Sequence, residues 1–396
     1  MRISRFAIAK LSAVFCVVSL CLSLVGQAQA QRQQATYEQK RREANDIAVS
    51  IVVSGLSCTC ARFAEDIRNV VNDLRPDGIR VLPVLGVGGL QNLNDVLFLK
   101  GIDMGVVEED NLQILKQRNP RLYADLEQRV QYITKLYNSE FHVVARNDIL
   151  SYEDLRGKKV SFNQKDSQTE VTAEIVFKML NIDVEHLNYD NDEAIKKLRD
   201  GEISAMIVVS GAPQAALAKL TKQDGLHFLP LDEKSFPGPN GEAVLKQYQP
   251  TKLTADQYPA LIPPGTSVPT VGNRALLVTY AWPENSARYV RMTKFVREFF
   301  GKIDLFQDGA RHPKWREINI AADMPGWVRF RPATEWIAEN RKVAALQDKG
   351  PQLANVKALF EQYLTESGAT AGKSLSDNDR QELFGQFQEF LAARRR

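Results

Sequence analysis

Ile47-Ala48-Val49-Ser50-Ile51-Val52-Val53-Ser54-Gly55 is the stretch on which the fold turns. A β-branched apolar run that closes on Ser-Gly reads as a strand buried on both faces and ended by a turn. Directly after it, Phe63, Ile67, Val70, Val71 and Leu74 recur at helical spacing. Residues 79–85 read as a second strand. Residues 90–99 read as a helix ending near Gly101, a residue suited to the left-handed position past a helix end. Residues 104–107 read as a third strand. Strand, helix, strand in this rhythm builds βαβ units and a mostly parallel sheet, so the fold class is α/β.

The rhythm then repeats. Residues 159–162 and 203–209 read as strands, and 171–180 and 193–198 as helices. Leu97-Phe98-Leu99-Lys100-Gly101-Ile102-Asp103-Met104 and Leu198-Arg199-Asp200-Gly201-Glu202-Ile203-Ser204-Ala205 share one pattern: a helix end, a glycine, then a strand that starts polar and turns apolar. The repetition predicts two similar lobes. Two long extended segments, 132–146 and 268–280, would join them. Lobe 1 is then 47–133 plus 270–340, and lobe 2 is 148–260. From 341 to 396 the pattern becomes purely helical. Leu353, Val356, Leu359, Phe360 and Leu364 share one face. Ser376 suits the N-cap of a last helix striped with Leu383, Phe384, Phe387 and Leu391. Arg394, Arg395 and Arg396 complement its dipole.

Of 396 residues, 51 are Lys or Arg and 48 are Asp or Glu, a formal charge of +3. All the excess is Arg2, Arg5 and Lys10, because residues 1–30 contain no acid. The remainder is neutral, which argues against nucleic acid as a partner. The same thirty residues read as an export signal. A basic start leads into the apolar run 11–25, and Ala28-Gln29-Ala30 offers a cleavage site before Gln31. Residues 31–46 form a polar leader. Export places the protein in the periplasm.

The catalytic inventory is thin. His142, His186, His227 and His312 form no His-x-x-x-His pair. There is no Gly-x-Ser-x-Gly elbow and no phosphate-binding Gly-x-x-x-x-Gly-Lys loop. Gly86-Val87-Gly88-Gly89 follows a strand, but Gln91 stands where a dinucleotide fingerprint has glycine. It offers either backbone N–H groups at a helix start or a tight turn with positive φ. Cys58-Thr59-Cys60 has three open readings: a small disulfide, two buried thiols, or a metal or redox site. Ser167-Gln168-Thr169 precedes a helix, with Thr169 as N-cap or as part of an anion cradle. Ser210-Gly211-Ala212-Pro213 follows a strand and is expected to open a helix. Ser54, Gly55, Gly88, Gly89, Glu108, Ser167, Thr169, Ser210 and Gly211 all lie just past strand ends. Ligands of open α/β sheets bind there, so these positions predict one cleft site.

The chain resembles the TAXI family of periplasmic solute-binding proteins, the receptors of TRAP-type transporters, over about residues 47–340. The resemblance is carried by Arg80-Val81-Leu82-Pro83 with Gly88-Gly89-Leu90-Gln91-Asn92-Leu93, and by Gly101-Ile102-Asp103-Met104-Gly105-Val106-Val107. It continues through Leu136-Tyr137-Asn138-Ser139-Glu140-Phe141-His142, Asp154-Leu155-Arg156-Gly157-Lys158-Lys159 and Ile262-Pro263-Pro264-Gly265-Thr266. It implies a type II periplasmic binding fold, two α/β lobes that close on a small carboxylate or amino acid, and docking on membrane permease subunits. It implies no cofactor and no covalent chemistry. By the same resemblance Asn92 and Tyr137 join the candidate ligand-binding residues. The first loop departs from the family pattern: Cys58 and Thr59 replace a glycine pair, and Ala61 and Arg62 replace two tyrosines. Arg62 is then either a guanidinium fork for a carboxylate or a solvated helix residue. Asp166-Ser167-Gln168-Thr169 stands where the family has Gly-Ser-Gly-Thr. These departures leave two alternatives: a receptor-derived signalling or interaction protein, and a thiol-dependent periplasmic enzyme.

Overall fold

The computed structural model describes residues 34, 36–75 and 77–340. The expected export signal and the helical extension from 341 lie outside the described residues. Residues 36–46 form an exposed helix that leads into the sheet.

The first block is β1 (Ala48–Val53), α1 (Thr59–Val71), β2 (Arg80–Leu85), α2 (Gly89–Phe98), β3 (Met104–Glu108), α3 (Asn111–Arg118) and the short α4 (Leu126–Arg129). The long strand β4 (Val130–Arg146) leads to β5 (Lys159–Ser161), α5 (Gln168–Leu180), β6 (Glu185–Leu187), α6 (Asn191–Arg199) and β7 (Ala205–Ser210). Then come β8 (Leu226–Phe228), α7 (Pro239–Gln247), β9 (Gln249–Thr254), the long β10 (Ser267–Tyr280), α8 (Ala287–Gly301) and α9 (Arg331–Glu339).

One sheet runs through the molecule in the order β2-β1-β3-β10-β4-β7-β5-β6. β1 is parallel to β2 and β3, and β5 is parallel to β6 and β7. β4 and β10 are antiparallel to each other over most of their length. β10 pairs with β3 through Ala275–Thr279, whereas β4 pairs with β7 through Glu140–Ala145. A parallel trio thus lies on each side of the two long strands, the first against β10 and the second against β4. This is the type II periplasmic binding fold: two α/β lobes joined by two extended crossings.

The core follows from the periodicity. Phe63, Ile67 and Val71 of α1 are fully buried against β1 and against Phe295, Phe299 and Trp315. Phe63 and Trp315 stack with ring centroids 4.0 Å apart. Burial of each such ring contributes about 1.5–3 kcal/mol. The other face of the first half is covered by α2 and α3 through Leu90, Leu93, Val96 and Leu112. Two further clusters cover the faces of the second half.

Three local expectations change. α1 ends at Val71, because Asn72 caps it and spends its side-chain Oδ1 on the N–H of Val81 at 2.6 Å. Leu74 therefore lies past the helix and is 70% exposed. Ser167, not Thr169, is the N-cap of α5, accepting from the Glu170 N–H at 3.2 Å. Ser210-Gly211-Ala212-Pro213 opens no α-helix. It contains a cis Ala212–Pro213 bond and leads into a single 3-10 turn at Leu217–Lys219.

Where β4 meets β7, a charge pair with the segment that follows α8 is sealed from water. The Lys314 ammonium pairs with Glu140 of β4, and the two side chains are 3% and 2% exposed. Glu140 also accepts from the Ala212 N–H at 2.7 Å, and Lys314 reaches Glu317 at 3.2 Å. Burial opposes the Lys314 charge, but the neighbouring Glu140 and Glu317 carboxylates outweigh it and raise its pKa. Nearby, Asp66 of α1 accepts from Trp315 Nε1 at 2.9 Å and from the His312 N–H at 3.1 Å.

Candidate functional site

A cavity of about 230 Å³ lies where the carboxyl ends of β1, β3 and β7 converge between the two halves. Of the residues expected there, Ser54, Gly55, Cys58, Gly88, Gly89, Asn92, Glu108, Ser167, Thr169 and Ser210 line it. Arg62, Tyr137 and Gly211 do not.

The first-half wall is built from loops that follow strands. After β1, Ser54 donates its hydroxyl to Val87 O at 3.0 Å, and its N–H donates to Cys60 Sγ at 3.2 Å. Cys58 and Cys60 are joined as a disulfide. Cys58 also caps α1 by accepting from the Cys60 N–H at 3.1 Å. After β2, Gly88 and Gly89 have φ of 99° and 50°, backbone that only glycine adopts without strain. Asn92 is 1% exposed and clamps this turn: its Oδ1 accepts from the Gly88 N–H at 3.2 Å, and its Nδ2 donates to Val106 O at 2.8 Å. After β3, Glu108 accepts from Ser139 Oγ at 3.2 Å and is 7% exposed. Burial, with the Asp110 charge beside it, pushes Glu108 up to about 8, and burial pushes Asp110 up to about 6.

The second-half wall is the start of α5 with the end of β7. Thr169 accepts from the Val209 N–H at 3.0 Å, tying α5 to β7. In the first turns of α2 and α5 the Gln91 N–H is accepted by Gly88 O at 3.1 Å and the Glu170 N–H by Ser167 Oγ, while the two N–H groups before each have no acceptor within their own helix. Both helix starts face the cavity.

Direct hydrogen bonds link the halves around this space. Thr59 Oγ1 donates to Gly211 O at 2.6 Å, and the Thr59 N–H reaches Ser210 Oγ at 3.2 Å. Gln214 Nε2 donates to Ser57 O at 2.7 Å, and Asn191 Nδ2 to Ser57 Oγ at 2.9 Å. Asn111 Nδ2 donates to Gln168 Oε1 at 2.7 Å.

The three outliers have clear causes. Arg62 faces outward from α1, donating to Ala310 O at 2.8 Å and pairing with Glu65 and Asp66, so it is not a carboxylate fork in the cleft. It lines a second, more apolar cavity of about 380 Å³ with Leu56, Leu85, Pro213 and His312. Tyr137 is 1% exposed and packs on Phe63 at 4.5 Å, behind the cavity wall. Gly211 lies beneath Thr59 and Tyr137, and a Cβ there would come within 2.9 Å of each. Sequence reasoning missed Ser57, Gln168, Asn163, Asp190, Asn191 and Gln214, all of which line the cavity. Asp190 and Asn191 had a legible signal, since Asp190 caps α6 just past β6. Gln214 had none.

Among the described residues, Glu170, Glu174 and His186 place possible metal-ligand atoms within 4.8 Å of one another. Their polar atoms are already engaged. His186 Nε2 pairs with Glu170 at 3.1 Å, and Asn188 donates to Glu170 at 2.8 Å. None of the three lines the cavity. No helix among the described residues is long and apolar enough to cross a membrane.

The NMT1-like family matches residues 77–322. Solved structures similar to the chain include a periplasmic transporter at 12% identity, covering 78% of this chain and 97% of that one, with a TM-score of 0.43. Another is the substrate-binding protein of an amino acid ABC transporter, at 15% identity, covering 66% and 97%, with a TM-score of 0.38. A third is the Synechocystis PCC6803 CcmR regulatory domain in complex with 2-PG, at 14% identity, covering 64% and 97%, with a TM-score of 0.39. At these scores the fold rests on the strand order described above.

Proposed function

The chain belongs to the NMT1-like family, and on that premise we propose that it is a periplasmic solute-binding receptor rather than an enzyme. It captures a small organic acid or amino acid in the cavity between the lobes. The closed form then delivers it to the membrane permease subunits of a TRAP-type transporter, as the TAXI resemblance implies. The ligand-binding residues are Ser54, Gly55, Cys58, Gly88, Gly89, Asn92, Glu108, Ser167, Thr169 and Ser210. The observation that carries this reading is that one cavity lined by many polar side chains draws its walls from strand ends of both halves. A ligand touching both halves favours their closed arrangement by its differential affinity for it.

The test is a thermal-shift panel of dicarboxylates, amino acids and keto acids, paired with small-angle scattering. A binding solute raises the melting temperature with its concentration and lowers the radius of gyration. A flat panel, together with stabilisation by a protein partner, would favour the alternative of a receptor-derived signalling or interaction protein. The direct bonds from Thr59 to Gly211 and from Gln214 to Ser57 speak for that second reading, because they join the halves without needing a solute to bridge them.

A further inference from the structure

The cavity's ionisable lining side chains are all acids. Glu108, Asp190 and Asp192 line it, and no lysine, arginine or histidine is among the described lining residues. Basic residues beside it in sequence or in the second cavity do not serve it. Arg62 is committed to Ala310, Glu65 and Asp66, and His312 Nε2 to Pro213 O at 3.2 Å. Lys165, between the lining residues Gln164 and Ser167, is exposed and does not line the cavity. An enclosed carboxylate ligand loses its hydration and needs a counter-charge to recover it. The starts of α2 and α5 supply dipoles worth about 0.3–1 kcal/mol each. Against them stand the lining acids and Glu170 in the first turn of α5. For an anion the balance is unfavourable.

For a cation the cavity has what is required. Glu108 lines it, held by Ser139 through one oxygen, and no protein cation competes for it. Burial keeps Glu108 protonated until a cationic group settles against it, when it gives up that proton. Asp190 and Asp192 stand at the exposed rim, where they attract positive charge during approach. Asn163, Gln164 and Gln168 add neutral acceptors around them.

We propose that the solute carries a protonated amine that seats on Glu108, and that its net charge is zero or positive. Within the receptor reading, on which this rests, the class is amino acids and amines, not simple organic acids.

Isothermal titration of the full chain with L-alanine, L-glutamine, putrescine, malate and succinate tests it. The expected result is binding of at least one amine-bearing probe, none of malate or succinate, and at least a tenfold loss of that binding in Glu108→Gln. An Asp190→Asn, Asp192→Asn double variant provides a second arm should Glu108→Gln not fold, with weakened amine binding expected. Binding of malate or succinate that Glu108→Gln leaves unchanged or strengthens would overturn the ligand class while the receptor reading stands. No binding by any probe would remove both.

Discussion

Gly89, the first residue of α2, lies against Gln168, the first residue of α5. A Cβ on Gly89 would stand 2.6 Å from Gln168 Oε1 and 3.0 Å from its backbone nitrogen. The two helix starts that frame the cavity therefore touch, and they touch through a residue without a side chain.

Gly89→Ala should hold the halves apart. The added methyl meets backbone, which cannot swing away, and the φ of 50° costs an L-residue about 1–2 kcal/mol. We expect at least a tenfold loss of solute affinity and a larger radius of gyration by small-angle scattering. Unchanged scattering and affinity would show that the contact relaxes without opening the cleft.

Lys314→Met should destabilise the protein by about 3–5 kcal/mol in chemical denaturation, because it strands the buried Glu140 carboxylate. The double variant Lys314→Met, Glu140→Gln should recover a large part of this, since no unpaired charge remains. Equal losses in the single and double variants would mean that packing, not charge, sets the cost.

Glu108 gives a signed pH dependence. Burial raises it to about 8 from an ordinary value of 4.5. The folded protein therefore holds a proton there that the unfolded chain gives up above pH 4.5. Its contribution to stability is complete below 4.5 and is lost as pH rises to about 8. Asp110 beside it and Tyr137 on β4 are the titratable groups that face it, and neither is a cation. Glu108→Gln should gain on the parent in melting temperature steadily from pH 5 to pH 8. A constant difference across that range would place the Glu108 titration elsewhere.

Replacing both Cys58 and Cys60 by serine should cost less than about 2 kcal/mol, because the bridged loop is too short to restrict much of the unfolded chain. Because Cys58 is one of the proposed ligand-binding residues, solute affinity should weaken in titration calorimetry. Unchanged affinity would take the sulfurs out of the binding site.

Much of this protein was legible in residue order. β-branched runs such as Val49, Ile51, Val52 and Val53, and helical stripes such as Phe63, Ile67 and Val71, are periodic features that depend only on near neighbours. They determined the α/β class, the repeat of the βαβ rhythm and the long crossings. Because the loops after strands come together at one end of such a sheet, most candidate site positions followed as well. Direction and partnership did not. Arg62 reads as a cleft residue until α1 is seen to turn it outward onto Ala310 and Asp66. Tyr137 is taken up by Phe63. Glu140 and Lys314, 174 residues apart, become one buried pair only when the crossing strand and the closing segment meet. The sign of the cavity was likewise hidden, since it depends on which charged side chains face inward. A sequence that is neutral beyond residue 30 can still give this cavity acids as its only ionisable lining groups, and only tertiary packing decides that.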